Sequence, residues 1–273
     1  MTGLMMHEAG SSHVTMKDLW DLPLPEQRGS RHWPIPHRIL VERLVEQING
    51  VGLKIIKQQL GIARHGTRVF GTMQVDGTGV VGNSLLARGG DVQSTLGFRS
   101  STDSSLGIRM VVGVTVFVCD NLCMSGDEFV LRRKSTFWNG SHESDRQLDG
   151  LLRNGVQRFL KRTPNFQRNI LYMKDYGLSG ENAKALLFEV FNKAVLPKVL
   201  LQETGRLYLS PSKDHEDCQP RSLWGLNNAC TRAIKSLKQP AARFEAATGV
   251  GAHFANLVGQ SGEMMHQAGS LPA

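Results

Sequence analysis

Residues 106–119 read LGIRMVVGVTVFVC, a run that is apolar at odd and even positions alike and rich in β-branched side chains. A strand with one wet face alternates in polarity; a run apolar on both faces is expected to be a central strand of a covered sheet. Its uninterrupted apolar part, Met110 to Cys119, is about half of the ~20 residues a membrane-spanning helix requires, so no membrane partner is expected.

The neighbouring sequence has the same period. Leu53–Ala63 and Arg68–Asp76 are β-type runs on either side of Arg64-His65-Gly66-Thr67, a predicted hairpin turn. In the second run Val69, Met73 and Val75 share one side, with Arg68, Phe70 and Gln74 on the other. Val92–Ser100 and Glu128–Ser135 read as further strands. Together these predict an antiparallel meander of four to five strands.

Outside this block the period is helical. Pro36 opens a helix carrying Leu40, Val41, Leu44, Val45 and Ile48, which stops at Gly50. After Trp138, Ser141 is placed to cap a helix whose stripe is Leu148, Leu151, Leu152, Val156 and Phe159. Arg146, Arg153, Gln157 and Lys161 fall on the opposite face, and Pro164 is expected to end or break the helix. Ser179 caps a second helix that ends before Pro197; Leu223–Leu237 and Ala241–Leu257 make two more, the last weakened by Gly249 and Gly251. Strands and helices are segregated, so the expected class is α+β: one helix, a meander, then several helices. The expected organisation is a loose arm over 1–31, with an apolar docking point at Leu19, Trp20 and Leu22. One α+β domain follows over 32–240, with its sheet part at 51–135 and its helical part at 141–240. The C-terminal helix and a disordered tail take up 241–273.

Composition narrows the function less than it narrows the fold. The 273 residues include 29 glycines, 32 Lys+Arg and 24 Asp+Glu, a net charge of +8. The glycine excess fits tight turns, and the basic balance points toward a polyanion. No basic-then-apolar leader is visible at the N-terminus, and the four cysteines do not form a disulfide framework, so the expected location is the cytoplasm.

The chemical motifs are weak. Gly77-Thr-Gly79-Val-Val-Gly82 matches G-x-G-x-x-G, but Gly89-Gly90 follows too soon for the helix that would hold a pyrophosphate. It reads as a glycine-rich turn, and no phosphate loop or other cofactor motif is found. Cys119-x3-Cys123 with His215-x2-Cys218 could ligate zinc, yet the first pair sits where a buried strand ends, and packed or solvated roles are preferred. His32 and His37, flanking a Pro-Ile-Pro turn, have no evident metal partners in sequence. Asp120, Asp127 and Glu128 cluster as metal-binding carboxylates of a nuclease would, but Lys134 is misplaced for that role; they read as turn residues. No catalytic residue, metal site or cofactor is assigned.

The basic segment is the strongest physical signal. Between Phe129 and Lys174 ten basic residues face three acidic ones, although extending the window to 127 and 175 adds three acids. Phe137, Trp138, Phe159, Phe166 and Tyr172 interleave. Such a mixture suits a groove that neutralises phosphates and stacks bases; a solvated helix face with core aromatics is the alternative. The candidate contacts are Arg132, Arg133, Lys134, Arg153, Lys161 and Arg162 to phosphates, with Trp138 stacking on a base.

Residues 96–127, LGFRSSTDSSLGIRMVVGVTVFVCDNLCMSGD, resemble a family of phage, plasmid and bacterial proteins known as domain of unknown function 932. The resemblance rests on Gly97, Arg99, Ser101, Asp103, Ser105, Val118, Cys119, Asp120, Asn121, Ser125 and Gly126. His32 and His37 and the LWGLNNA stretch from Leu223 also fit, so it spans roughly 28–240. It brings no known reaction. A helix, a meander and a long following helix are also similar, by analogy only, to Rad52-type single-strand annealing proteins. The expected function is therefore a non-enzymatic protein of a mobile element that binds nucleic acid, with single-stranded DNA the expected ligand. A protein-binding or counter-defence factor and a metal-dependent nuclease are the alternatives, and a homo-oligomer is left open. Arg99 and Asp103 are expected to organise the loop before the central strand.

Overall fold

The computed structural model describes residues 11–27, 29, 32–76, 92–116, 121–124, 129–132, 139–211 and 221–268. For 92, 115, 116, 121–124, 129–132, 240 and 260–268 it describes the backbone alone. The class is α+β, as expected. Among the described residues the sheet has seven strands: β1 (Ser12–Val14), β2 (Lys54–Ala63), β3 (Arg68–Asp76), β4 (Val92–Ser101), β5 (Ile108–Val116), β6 (Asn121–Met124) and β7 (Phe129–Arg132). Every pairing is antiparallel; β1 to β6 lie in chain order, and β7 shares the outer edge of β5 with β6. The run that predicted a central strand is β5, bonded along both edges, with Met110, Val111, Val112 and Val114 all buried. Adjacent positions point to opposite faces, so both faces are covered here.

The β2–β3 hairpin turns at 64–67 as predicted. Arg64, His65 and Gly66 all have positive φ, at 53°, 54° and 82°. Only glycine takes that region freely, so two of the three positions are strained.

Part of the stretch expected to be a loose arm is built into the fold. β1 pairs with β2, and α1 (Met16–Asp21) follows with Thr15 and Asp18 forming a reciprocal capping box. Leu19 is buried, while Trp20 is about half exposed and donates to Glu42. Neither element is long enough to show periodicity, so hydrophobic pattern could not reveal them.

The helices are α2 (His37–Gly50), α3 (His142–Asp175), α4 (Gly180–Asn192), α5 (Leu201–Leu209), α6 (Leu223–Ile234) and α7 (Pro240–Ala268). Ser141 and Ser179 cap α3 and α4 as expected, accepting from the amides of Ser144 and Asn182. Pro164, however, does not end α3. Proline removes the N–H that would bond the Leu160 carbonyl, a defect of ~3 kcal/mol or more in a helix interior. Continued packing offsets it: Phe166, Ile170 and Met173 extend the buried stripe beyond the proline. Likewise α7 runs past Gly259, where disorder was expected; its Phe244, Ala247, Val250 and Phe254 belong to the core. α5 went unrecognised in the sequence, and α6 is more deeply placed than an amphipathic reading implies, with Leu223 to Thr231 all buried.

Strand alternation fixes the layers. Ser94, Leu96 and Phe98 lie on one face of β4, and Thr95 and Arg99 on the other. α3 covers the first face, where Gln167 Nε2 donates to Ser94 Oγ at 3.0 Å. α7 reaches the second, where Arg99 meets Phe244 and Glu245. No helix among the described residues is long and apolar enough to cross a membrane.

Candidate nucleic-acid interface

The 34 residues of α3 sort cleanly by angle. Leu148, Leu152, Val156, Phe159, Phe166, Ile170 and Met173 are buried, whereas Arg153, Asn154, Gln157, Arg158, Lys161, Asn165, Arg168 and Tyr172 are exposed. At about 100° per residue the exposed set forms one stripe, and from Arg153 to Tyr172 it extends about 28 Å along the axis. The segment 150–174 contains no Asp or Glu.

The acids of α3 are gathered at its ends and are largely engaged. Arg43 on α2 lies 3.4 Å from Asp145 and 3.5 Å from Asp149, and Glu143 pairs with Arg146 at 2.6 Å. Acids in a first turn complement the helix dipole, which accounts for their position without reference to a ligand. Arg153 Nε donates to Gln47 Oε1 at 3.2 Å, which fixes its head against α2. Among the described residues no carboxylate pairs with Arg158, Lys161 or Arg168. Among the described residues the stripe is therefore a row of positive charge without a carboxylate partner, interleaved with amides and one half-exposed phenol ring. Such a row can neutralise successive phosphates, and a tyrosine can stack on a base.

The structure brings together only part of the sequence-predicted site. Arg153 and Lys161 lie two turns apart on this stripe, exposed as predicted, and Arg162 sits half-buried at its flank. Arg132 closes β7, whose backbone alone is described; Arg133, Lys134 and Trp138 lie outside the described residues. Arg158 and Arg168 were counted in the basic segment but not placed in the site. With α3 expected to end or break at Pro164, Arg168 beyond it had no assigned face.

The motif loop divides in function. Asp103 organises it as expected: Oδ1 accepts from the Ser105 amide at 2.9 Å and Oδ2 from the Thr67 hydroxyl at 3.2 Å. Burial alone would raise its carboxyl, but donors from Ser105, Ser101 and Thr67 outweigh that and hold it at about 2. Ser101 Oγ closes the loop on itself through the Leu106 amide and carbonyl. Arg99 is used differently. It is 1% exposed in β4, pairs with Glu245 at 3.2 Å and lies over the Phe244 ring, so it helps to dock α7. Asn121 pairs with Val116 across the β5–β6 ladder.

Among the described residues no group of three or more His, Cys, Asp or Glu side chains could hold a metal ion. Of the zinc candidates, Cys119, His215 and Cys218 lie outside the described residues, as do the carboxylates Asp120, Asp127 and Glu128 and the glycine-rich 77–90 stretch, and Cys123 lies in β6, whose backbone alone is described. His32 and His37 act as latches, each with Nε2 on a backbone carbonyl: Thr102 at 2.7 Å and Gly66 at 3.0 Å. Comparison with known proteins returned no matching family model, no matching curated protein and no matching solved structure.

Proposed function

We propose that this protein is a non-enzymatic nucleic-acid-binding protein whose ligand is single-stranded DNA, held along the exposed face of α3. The observation that carries the reading is the acid-free stripe of Arg153, Arg158, Lys161 and Arg168, with Tyr172 at its end. A helix held by its apolar side needs no cations on its outer face for stability, because exposed charges contribute little to folding. Affinity for a phosphate backbone does need them. A place in the cytoplasm rests on the cysteine usage, and work on behalf of a phage- or plasmid-like element rests on the family resemblance centred on residues 96–127.

The test is a binding titration of oligothymidine at two salt concentrations, with the parent chain and with the triple variant Arg158→Glu, Lys161→Glu, Arg168→Glu. Binding that weakens steeply with salt in the parent, and is lost in a triple variant with an unchanged melting temperature, is the expected result. Equal binding by parent and variant, or none by the parent at low salt, overturns the reading. A protein-binding role for the molecule then takes precedence.

A further inference from the structure

The row of cations along α3 ends in two aromatic rings. Tyr172 and Tyr176 are 52% and 46% exposed, and the Tyr176 N–H donates to the Tyr172 carbonyl at 2.9 Å. Tyr176 therefore keeps its helical place one turn, about 6 Å, beyond Tyr172, on the side of the helix that carries Lys161 and Arg168. Single exposed apolar side chains are ordinary, but two rings in line with a row of cations have the composition of a base-stacking surface.

The fold adds a cation from far away in sequence. Gly177 forms an antiparallel bridge with Ser222: Leu178 N–H donates to the Arg221 carbonyl and Leu223 N–H to the Tyr176 carbonyl, each at 2.9 Å. Tyr176 thus stands opposite Leu223, and Arg221 is its diagonal neighbour across the bridge. Diagonal positions share a face and are about 7–8 Å apart, within reach of an aromatic ring or a long side chain. Arg221 is exposed, and its Nη2 donates to the Leu209 carbonyl at 3.5 Å. Among the described residues no carboxylate pairs with Arg221 or with Arg168, which lies one turn before Tyr172. The two rings are thus bracketed by cations. Asp175, exposed beside the rings, repels phosphates and so favours bases over backbone at this spot.

Resting on the single-stranded DNA reading above, we propose that Tyr172 and Tyr176 are a stacking platform for two bases, with Arg168 and Arg221 holding the flanking phosphates. The platform makes the site selective for single strands. Along each strand of a duplex the bases follow every ~3.4 Å and hide their faces against one another. Rings about 6 Å apart find no open face there. An unpaired strand can spread its bases to that spacing, and every base has a face to stack, so the selection needs no sequence. The cations alone cannot make this choice, because both forms present phosphates.

Fluorescence anisotropy titration of the full chain at two salt concentrations tests the platform. The probes, equal in length, are oligothymidine, an abasic strand with the same phosphates, and a duplex. The parent should bind oligothymidine about tenfold or more tighter than the abasic strand and, at the higher salt, tighter than the duplex. Tyr172→Leu with Tyr176→Leu should erase both preferences and leave abasic-strand binding and the salt slope unchanged. Tyr172→Phe with Tyr176→Phe keeps the rings and should keep the preferences. Arg221→Gln should lower the salt slope by about one ionic contact; an unchanged slope removes Arg221 from the site. Equal parent binding of oligothymidine and the abasic strand, or a preference that survives in a folded leucine pair, overturns the platform. Should the leucine pair not fold, each single leucine variant must lower the preference, and failure to do so overturns it equally. Steeply salt-dependent binding that ignores the bases would leave the strand on α3 and remove the platform alone. No binding of any probe at low salt would remove both.

Discussion

Asp103 ties two loops together with its charge, and the pH dependence of that tie has a definite sign. Its carboxyl is held below the ordinary value, so its stabilisation is complete above about pH 4 and is lost as pH falls toward about 2. Asp103→Asn should lower stability at pH 7 by about 1–2 kcal/mol, and the gap to the parent should close below pH 4 in thermal melts. A gap as large at pH 2.5 as at pH 7 would mean that shape, not charge, holds the loop. His37 works over a higher window. Burial lowers its pKa from 6.5 to about 4, against the pull of the Gly66 and Thr67 carbonyls and Asp103. The unfolded chain therefore binds the proton first, and stability falls as pH drops from about 6.5 to 4, by roughly 3 kcal/mol in all. His37→Gln should flatten that slope by about one proton, measured by denaturant melts at half-unit pH steps. Both residues stood out in the sequence, Asp103 among hydroxyls and His37 beside prolines. Their partners could not be read, because Thr67 and Gly66 reach them only through the fold.

At the scale of strands, Gly71 and Phe98 face each other across the β3–β4 ladder, and the Phe98 ring lies where a Cβ on residue 71 would stand. The ring is 1% exposed and has nowhere to retreat. Gly71→Ala should cost about 1–3 kcal/mol by overpacking. Adding Phe98→Leu should recover part of the loss, although Phe98→Leu is destabilising alone. Strict additivity of the two changes in chemical denaturation would sink this account. Sequence alternation predicted both strands but not this pair, because register depends on the turn and on which chain lies opposite. The same limit explains α3. The capping serine and apolar stripe were legible, whereas the passage through Pro164 depends on what Phe166, Ile170 and Met173 find to pack against.

The N-terminal elements and the basic stripe concern the whole molecule. A chain beginning at residue 23 loses β1 and α1, and with them the burial of Val14 and Leu19. At about 1.5–3 kcal/mol per buried side chain, the loss should be about 3–6 kcal/mol. At 2–4 °C per kcal/mol for chains near this size, the melting temperature should fall by roughly 10 °C. An unchanged transition would show that the segment merely rests on the surface. The stripe on α3 makes a separate prediction. Since phosphate contacts carry affinity without sequence information, removing three cations should flatten the salt dependence of DNA binding by about the same number of ionic contacts, whatever the oligonucleotide sequence.

The sequence alone determined the class, because period-2 and period-3.6 patterns are local properties of the chain. The run at 106–119, the stripe at Leu148–Phe159 and the capping serines needed no partner to be recognised. It also determined the charge asymmetry, since the absence of acids over 150–174 is a fact of composition. Only the tertiary structure decided which of those cations face solvent together, through the continuity of α3 beyond Pro164. It placed Arg99 under α7, and it brought Arg221 to the end of α3. These outcomes depend on contacts between residues far apart in sequence, whose energies arise only when the sheet and helices bring them within reach.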